Sequence, residues 1–374
     1  METNRESLAP YELIEIKFSN NHWLMPISGI KHFSKMGEFF VSDENIAILK
    51  FNKNLLIRDK DYSWSTLNEV RTRINEKAIY LRFKTCFGED LTVLPSHPLT
   101  TVRGALNFIT EASSDKFCVQ HKDGGKLQFD GKKKVISKGK NVKLDFTMGR
   151  LIGAIVAKGS FMKNIDGIIF EEETDDLKEL LDSLDIQERK KNNLGLIIKD
   201  KWLLHLVFNK FKIEKRTNER CLPLPMLEYN EDFILGMLRG VVDNKGNLNK
   251  SQLMIRVSSR SLALQLAALF RHFGYSVGNT YDKRKPPRAD ADRSYDIWGV
   301  YVSKSKNSTH IEGCFKISSL IQNNGTPRYK PYGSTMIKNV MTVGFDNPMS
   351  FGLETESKTY VVNNLITHDN SEII

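Results

Sequence analysis

Two short apolar stretches with small residues four positions apart constrain this chain more than any other feature. Each predicts a helix whose glycines let a second helix backbone approach closely. The two copies are 87 residues apart, from Lys158 to Lys245, and too short and interrupted to span a membrane. Their shared register predicts a duplicated unit whose helices pack on each other. The first copy reads Gly149-Arg-Leu-Ile-Gly153-Ala-Ile-Val-Ala-Lys158-Gly159, and the second reads Gly236-Met-Leu-Arg-Gly240-Val-Val-Asp-Asn-Lys245-Gly246.

Composition indicates a globular chain with an acidic partner. The 374 residues suffice for two or more domains with cores of their own. A net charge of +10 favours nucleic acid as the partner, the alternative being a basic surface without a role. The four cysteines form no C-x-x-C pair, so neither a zinc site nor a disulfide framework is expected. No signal peptide or membrane span is recognised.

Residues before position 118 predict an antiparallel β-domain. The stretch from Tyr11 to Phe18 alternates apolar and polar residues and ends in a Ser-Asn-Asn turn. Further short strands are expected near 46–51, 55–58, 78–84 and 91–94, and a helix at 66–74. The segment 78–98 predicts a hairpin that ends at His97, just before a proline.

Two basic segments are candidate contacts for nucleic-acid phosphates. Residues 122–143 hold eight lysines and four glycines, which predicts either a solvated flexible linker or a phosphate-contacting arm. The stretch from Asp282 to Arg293 contains two prolines and is expected to be a loop. The candidate DNA-binding residues are Lys132, Lys133, Lys134, Lys283, Arg284, Lys285 and Arg288.

The elements after each glycine motif extend the repeat. A strand at 166–170 and a helix at 174–184 follow the first copy, and a strand at 252–257 and a helix at 261–274 follow the second. Motif helices followed in this way resemble the LAGLIDADG homing endonucleases. The resemblance implies a pseudo-twofold α/β domain with the motif helices at its interface. Its partner would be double-stranded DNA at the insertion site of a host gene.

The acids that this family uses for DNA cleavage are replaced. The resemblance implies a carboxylate just before the last glycine of each motif as a divalent-metal ligand, but Lys158 and Lys245 stand there. The other acidic position of the motif holds Val156 and Asp243, neither of which is carried over as a ligand. No metal ligand is therefore assigned, and Mg²⁺ would matter only to an active nuclease. Cleavage is expected to be lost or impaired, while binding survives.

The two ends of the chain resemble a different family. His97 in its hairpin, and the run from Phe351 through His368 to Asn370 and Ser371, resemble the splicing blocks of inteins and related Hint-fold domains. The family pattern is Thr-x-x-His, whereas Leu94 occupies the threonine position here. Asp369 separates His368 from Asn370, which are usually adjacent.

The intein resemblance implies self-splicing without a cofactor. Ser7 would be the first nucleophile and Ser371 the second. His97 would protonate the departing amide nitrogen. Asn370 would cyclise with help from His368, which releases residues 7–370 and joins the flanking exteins.

Together these patterns predict a multidomain chain. An all-β Hint domain of horseshoe shape, formed by both ends, would be interrupted by the endonuclease-like domain. The expected boundaries are an N-extein remnant at 1–6, Hint parts at 7–121 and 333–370, a basic linker at 122–143, repeats at 144–228 and 229–332, and a C-extein remnant at 371–374. A monomer without membrane contact is expected, in the cytoplasm of a bacterial, archaeal or phage-infected cell.

Three alternatives to splicing remain open from the sequence. They are an active site-specific homing endonuclease, a free-standing nuclease or RNA maturase of the same family, and a DNA-binding regulator descended from one. A free-standing nuclease or maturase would leave residues 7–118 and 333–371 unexplained.

Overall fold

A computed structural model shows two compact units. The first comprises residues 1–126 and 326–374, and the second comprises residues 127–325. The structure describes residues 8–41, 46–52, 55–61, 63–74, 79–85, 90–100, 106–108, 118–119, 126–161, 167–249, 252–284, 295–320, 335–343 and 349–368.

The first unit begins as a succession of short strands. A 3₁₀ helix at Ile27–Met36 follows the second of them. The strands are β1 (Leu13–Phe18), β2 (Asn21–Pro26), β3 (Gly37–Val41), β4 (Ile46–Phe51), β5 (Leu56–Arg58), β6 (Trp64–Ile74), β7 (Tyr80–Thr85), β8 (Asp90–Val93), β9 (Pro98–Thr100), β10 (Leu106–Phe108) and β11 (Cys118–Val119). The predicted strands near 46–51, 55–58, 78–84 and 91–94 are confirmed as β4, β5, β7 and β8.

The second unit contains two copies of one arrangement of elements. The first copy has β12 (Lys134–Ser137), β13 (Lys140–Lys143), α1 (Phe146–Lys158), β14 (Ile168–Phe170), α2 (Asp175–Ser183), β15 (Arg189–Asn192), β16 (Gly195–Ile198) and α3 (Lys201–His205). The second copy has α4 (Glu231–Lys245), β17 (Gly246–Asn249), β18 (Gln252–Val257), α5 (Arg260–His272), β19 (Ser276–Arg284), β20 (Tyr295–Ser303) and α6 (Phe315–Ser318). A π-helix at Leu206–Lys210 continues α3, and a 3₁₀ turn at Met226–Glu228 precedes α4.

The duplicated pattern read from the sequence is confirmed and extended. One strand in the first copy and two strands in the second follow the motif helix, and a helix and two more strands come next. The strands form the sheets β14-β16-β15 and β17-β18-β20-β19. In the first copy, Ser160, just after the motif helix, forms a bridge with Ile169 of β14. Among the described residues, no helix is long and apolar enough to cross a membrane.

The chain then returns to the first unit with four strands. These are β21 (Thr335–Val343), β22 (Met349–Thr355), β23 (Thr359–Val362) and β24 (Leu365–His368). Each pairs with a strand from before residue 126: β21 with β7, β22 with β6, β23 with β1, and β24 with β9. Residues from both ends of the chain therefore share one set of sheets, and the expectation of a multidomain chain with a mostly β part is confirmed.

The predicted helix at residues 66–74 is wrong, because this stretch is the greater part of β6. Strand β6 pairs with β4 and β5 as well as with β22, so its backbone hydrogen bonds are made across the sheet. Ser65, Leu67 and Glu69 alternate on the buried face, with a salt bridge from Arg71 to Glu69. Buried polar residues with partners elsewhere in the fold obscure the two-residue period in the sequence.

The basic connector predicted at 122–143 is also wrong for its second half. Strands β12 and β13 form a hairpin whose turn, Lys138-Gly139, has φ values of 49° and 80°. Such a two-residue turn with both φ values positive matches the twist of the flanking strands. Lys132 forms a bridge with Tyr229, which ties this segment to the rest of the second unit.

The loop predicted from Asp282 to Arg293 needs a smaller correction. Asp282, Lys283 and Arg284 are the last residues of β19 and pair with Ile297, Asp296 and Tyr295 of β20. The remainder of that stretch lies outside the described residues.

The two motif helices pack with their backbones almost in contact. A methyl group added to Gly149 would lie 2.1 Å from the Phe233 carbonyl oxygen, and one added to Gly153 would lie 2.2 Å from that of Met237. The reciprocal contacts repeat this, since Gly236 meets the carbonyl of Phe146 and Gly240 that of Arg150, both at 2.1 Å. These contacts advance in the same direction along α1 and α4. The helices therefore run parallel, with both C-termini at one end of the pair.

Replacing Gly153 with alanine is expected to destabilise the second unit by on the order of 3 kcal/mol. The new methyl group would collide with backbone, which cannot move aside as a flexible side chain would. Hydrogen exchange of the α1 and α4 amides in the full chain measures the loss. Gly278→Ala is the control, because nothing lies within 4 Å of a methyl group added there. Equal protection in the two variants would contradict the close packing.

Candidate functional site

The backbone next to the predicted first nucleophile is held on both sides. Ser7 itself lies outside the described residues, but Leu8 is fully buried and forms bridges to Phe351 of β22 and Val93 of β8. The Leu8 and Phe351 amides each donate to the other's carbonyl at 2.9 Å, and the Ala9 amide donates to the Thr92 carbonyl at 3.1 Å. The backbone of Leu8, the first described residue, is therefore fixed at the end of β8.

The other end of the chain reaches the same segment. Thr367 of β24 pairs with Leu99 of β9, and its hydroxyl donates to the Pro98 carbonyl at 3.0 Å. The Nε2 atom of His97 lies 2.6 Å from the same Thr367 hydroxyl oxygen, and both side chains are fully buried. His368 follows directly and is partly exposed, whereas Asn370 and Ser371 lie outside the described residues.

One stretch of seven residues, from Val93 to Leu99, thus contacts residues near both ends of the chain. A tight turn within it, closed by the His97 amide donating to the Leu94 carbonyl at 3.0 Å, directs the chain from β8 towards β9. Leu94, at the position where the intein pattern has threonine, packs instead in an apolar cluster with Ala9 and Tyr80.

The environment of His97 keeps its ring neutral. Burial, and secondly the charge of the nearby His368, lowers the pKa of His97 from its ordinary value of 6.5 to about 3. The neutral imidazole has one nitrogen that carries a proton and one with a free lone pair. Such a ring can take up a proton. Because the protonated ring has a low pKa, it then gives that proton up readily.

A hydrogen-bond network around the buried Glu12 side chain, which sequence reasoning missed, fixes the C-terminal hairpin on β1. The hairpin turn Asn363-Asn364 has φ values of 48° and 69°. The Asn363 side chain accepts from the Leu13 amide at 2.7 Å and donates to the Glu12 carboxylate, which also accepts from the Thr92 amide at 3.2 Å. An Asn-Asn pair between apolar runs is a hairpin signal that could have been read from the sequence. The hydrogen bond between Asn363 and Glu12 could not be read from the sequence, because the two residues are 351 positions apart.

A second candidate site lies at the paired ends of the motif helices. Lys158 and Lys245 are the last residues of α1 and α4 and both are exposed. Each is five residues, or about 7.5 Å along the axis, beyond the glycine at which the helices cross. The parallel course of the helices therefore places both ammonium groups at the same end of the second unit.

Two further cations bind the carbonyl groups of these helix ends. The buried guanidinium of Arg220 donates to the carbonyls of Val156 at 3.2 Å and Gly159 at 2.8 Å. Lys316 donates to the carbonyls of Val242, Asp243 and Gly246 at 2.9 to 3.2 Å. Carbonyl groups that would attract a metal ion at each helix end are thus already satisfied by the protein's own positive charges.

The remaining motif acid is engaged within the protein. Asp243 accepts from Arg239 at 3.1 Å, four residues earlier in the same helix, and Arg150 of α1 lies 3.4 Å away. In the described part of the chain, no cluster of three or more His, Cys, Asp or Glu side chains could hold a metal ion. The side chains present at the two helix ends therefore do not fit a divalent metal.

The other candidate DNA contacts differ in how far the structure places them. Lys132 forms a salt bridge with Glu228 at 3.0 Å. Lys134 is the first residue of β12 and Lys133 precedes it, and both are exposed. Lys283 and Arg284 belong to the end of β19. Lys285 and Arg288 lie outside the described residues.

Comparison with known proteins returns the two classes named by the sequence resemblances. The TvoVMA intein is 10% identical and covers 31% of this chain and 70% of its own, with a TM-score of 0.27. The transcription factor IIB Mvu mini-intein is 12% identical, covers 32% and 69%, and has a TM-score of 0.28. The homing endonuclease I-DmoI, solved with DNA and Mn, is 13% identical, covers 43% and 91%, and has a TM-score of 0.28. TM-scores this low do not support assigning the activity of any of these proteins to this chain.

No protein-family model matches the chain. A curated relative, the DNA-directed RNA polymerase subunit Rpo1C of Methanocaldococcus jannaschii, is 25% identical over 268 residues. The match covers 62% of this chain and 30% of that subunit, so the chain spans less than a third of the length of the curated relative it matches.

The low pKa of His97 predicts acid sensitivity of the first unit. Between pH 6.5 and about 3 the unfolded chain holds a proton on this residue that the folded chain does not, so the free energy of unfolding falls as the pH falls. The slope approaches about 1.4 kcal/mol per pH unit for one proton. Hydrogen exchange across a urea series, read on peptides from β23 and β24, measures it. In His97→Gln, which retains a donor but does not titrate, this part of the slope should disappear.

Proposed function

We propose that the chain is a self-splicing intein that excises residues 7–370 and joins Met1–Glu6 to the segment that begins at Ser371. The observation that carries this proposal is the Val93–Leu99 segment, which contacts Leu8 through Val93 and Thr367 through Leu99 and His97. Splicing requires that the Ser371 hydroxyl react with the ester formed between Glu6 and Ser7, although these residues are far apart in sequence. Proximity of this kind is worth several kcal/mol of the barrier in intramolecular reactions.

The residue types fit four successive steps. The Ser7 hydroxyl attacks the Glu6 carbonyl carbon, and its proton moves to the departing Ser7 amide nitrogen, which leaves an ester. The Ser371 hydroxyl attacks that ester and releases the Ser7 hydroxyl, giving a branched chain. The side-chain amide nitrogen of Asn370 attacks its own carbonyl and expels the Ser371 amine as a succinimide forms. The free amine then attacks the ester and restores an amide, so no cofactor is consumed.

His97 and His368 divide the proton transfers of these steps. His97, neutral and buried in the segment whose first residue bridges to Leu8, would accept the serine proton and deliver it to the leaving nitrogen. His368 is partly exposed at the end of β24 and would assist the departure of the Ser371 amine. Asp369 lies between His368 and Asn370, so this final proton transfer is expected to limit the rate.

Ser7→Ala is expected to abolish both splicing and cleavage at Glu6, because no ester can form without the hydroxyl. Mass spectrometry of the purified chain over time would follow loss of residues 7–370 and joining of the ends. Asn370→Ala is the matched control, since it blocks cyclisation while the ester at Ser7 still forms and remains open to hydroxylamine. Joined exteins from Ser7→Ala, or an inert wild-type chain, would contradict splicing.

We infer that the second unit binds double-stranded DNA without cutting it. The pseudo-twofold pair α1–α4 presents Lys158 and Lys245 at one end, with Arg220 and Lys316 behind them on the helix carbonyls. Ammonium groups at these positions attract backbone phosphates instead of divalent ions. An active site-specific endonuclease is the alternative, and it would need metal ligands other than these.

Binding is expected to be independent of divalent metal and to weaken in the double variant Lys158→Glu/Lys245→Glu. Each lost phosphate contact should lower the slope of log affinity against log salt by about 1. Gel shift in EDTA with duplexes selected from a random pool measures this. Lys178→Glu/Lys306→Glu, on exposed lysines elsewhere in the unit, is the charge-matched control. Double-strand breaks by the wild-type chain at a selected site in Mg²⁺ would favour the alternative.

A further inference from the structure

We propose that Thr367 is the positioning residue of His97, and that its hydroxyl fixes the imidazole in the tautomer with the proton on Nε2 and the lone pair on Nδ1. The proposal rests on the splicing function proposed above. It assigns a role to a residue outside the motifs by which that function was recognised.

The tautomer follows from the single proton of the threonine hydroxyl. That proton is donated to the Pro98 carbonyl at 3.0 Å, and a carbonyl can only accept. Towards His97, the Thr367 oxygen therefore offers a lone pair, and the 2.6 Å contact requires a proton on Nε2. Both side chains are fully buried, so bulk water does not compete for either bond.

The backbone fixes the hydroxyl in place. Thr367 pairs with Leu99 in the antiparallel ladder of β24 and β9, while the other side of β9 pairs with β10. His97 and Pro98 immediately precede the paired Leu99, so the acceptor, the hydroxyl and the ring are held within three residues of one pairing. A β-branched threonine adds few rotamers of its own in a strand.

Thr367 supplies a hydroxyl where the motif itself lacks one. The intein pattern has a threonine three residues before the histidine, but Leu94 occupies that position and packs in the apolar cluster. The hydroxyl that contacts His97 comes instead from a residue 270 positions away. The correct tautomer thus depends on docking of β24, which couples the first step at Ser7 to the presence of the C-terminal strand.

The proton balance of the first step is complete in this tautomer. The Nδ1 lone pair takes the proton of the Ser7 hydroxyl as its oxygen bonds to the Glu6 carbonyl carbon. The same proton passes to the Ser7 nitrogen as the carbon–nitrogen bond breaks, and His97 returns to its starting state. Nε2 keeps its proton and its bond to Thr367 throughout.

The tautomer can be measured without any reaction. We would record the imidazole ¹⁵N shifts of a histidine-labelled Ser7→Ala/Asn370→Ala chain, with His97→Gln to identify the signal among eight histidines. The expected result is an Nε2–H tautomer for His97 that is lost or mixed in Thr367→Val and retained in Thr367→Ser. An Nδ1–H tautomer in the unsubstituted background would overturn the proposal without a Thr367 variant.

Ester formation gives the second readout. In an Asn370→Ala background, the rate of hydroxylamine-sensitive ester formation at Ser7 should fall by about tenfold or more in Thr367→Val, a part of what positioned acid–base groups contribute. Thr367→Ser should restore it to within about threefold. Thr355→Val, which removes an equally buried hydroxyl bonded to the Thr359 carbonyl, is the control and should leave tautomer and rate unchanged.

The outcomes separate the two proposals. If the unsubstituted Asn370→Ala chain forms no ester, the splicing function fails, while the ¹⁵N shifts still decide the tautomer. If it forms ester and Thr367→Val does so at the same rate with the same tautomer, the role of Thr367 is overturned and splicing stands.

Discussion

The first unit depends on the pairing of strands that are more than 200 residues apart. Leu8 joins β8 to β22, and Thr367 joins β24 to β9, so the backbone near each end of the chain is bonded to the segment between Val93 and Leu99. Closing so long a loop costs little more than closing a moderate one, because the entropy grows only with the logarithm of length. The inserted residues can fold as a unit of their own without preventing this pairing.

The second unit depends on a contact of a different kind. Gly149, Gly153, Gly236 and Gly240 leave room for carbonyl oxygens of the facing helix, and the reciprocal contacts repeat at the same 87-residue offset as the sequence motifs. Glycine inside a helix costs about 1 kcal/mol relative to alanine, a cost that only close packing offsets. Because the contacts are symmetric, the corresponding residues Lys158 and Lys245 lie at the same end of the helix pair.

How far the sequence could predict this molecule depended on whether each signal was local. The motif helices, β4, β18 and α5 follow from periodicity and end signals within a few residues. Strand β6 was missed because Ser65 and Glu69 are polar yet buried, and the salt bridge to Glu69 forms only in the folded chain. The role proposed for Thr367 could not be found for a related reason, since the His97 ring that it contacts is 270 positions away in the sequence. Leu94 showed that a hydroxyl was missing from the motif, but not where another came from.

The two lysines at the helix ends have a physical explanation apart from DNA. The C-terminus of a helix carries partial negative charge, so a carboxylate there is held against the field of its own helix while a lysine is favoured by it. The same field favours a cation at both helix ends, and Arg220 and Lys316 follow the same preference on the carbonyls behind the two lysines. His97 shows the opposite arrangement, because burial keeps this titratable group neutral instead of favouring its charged form.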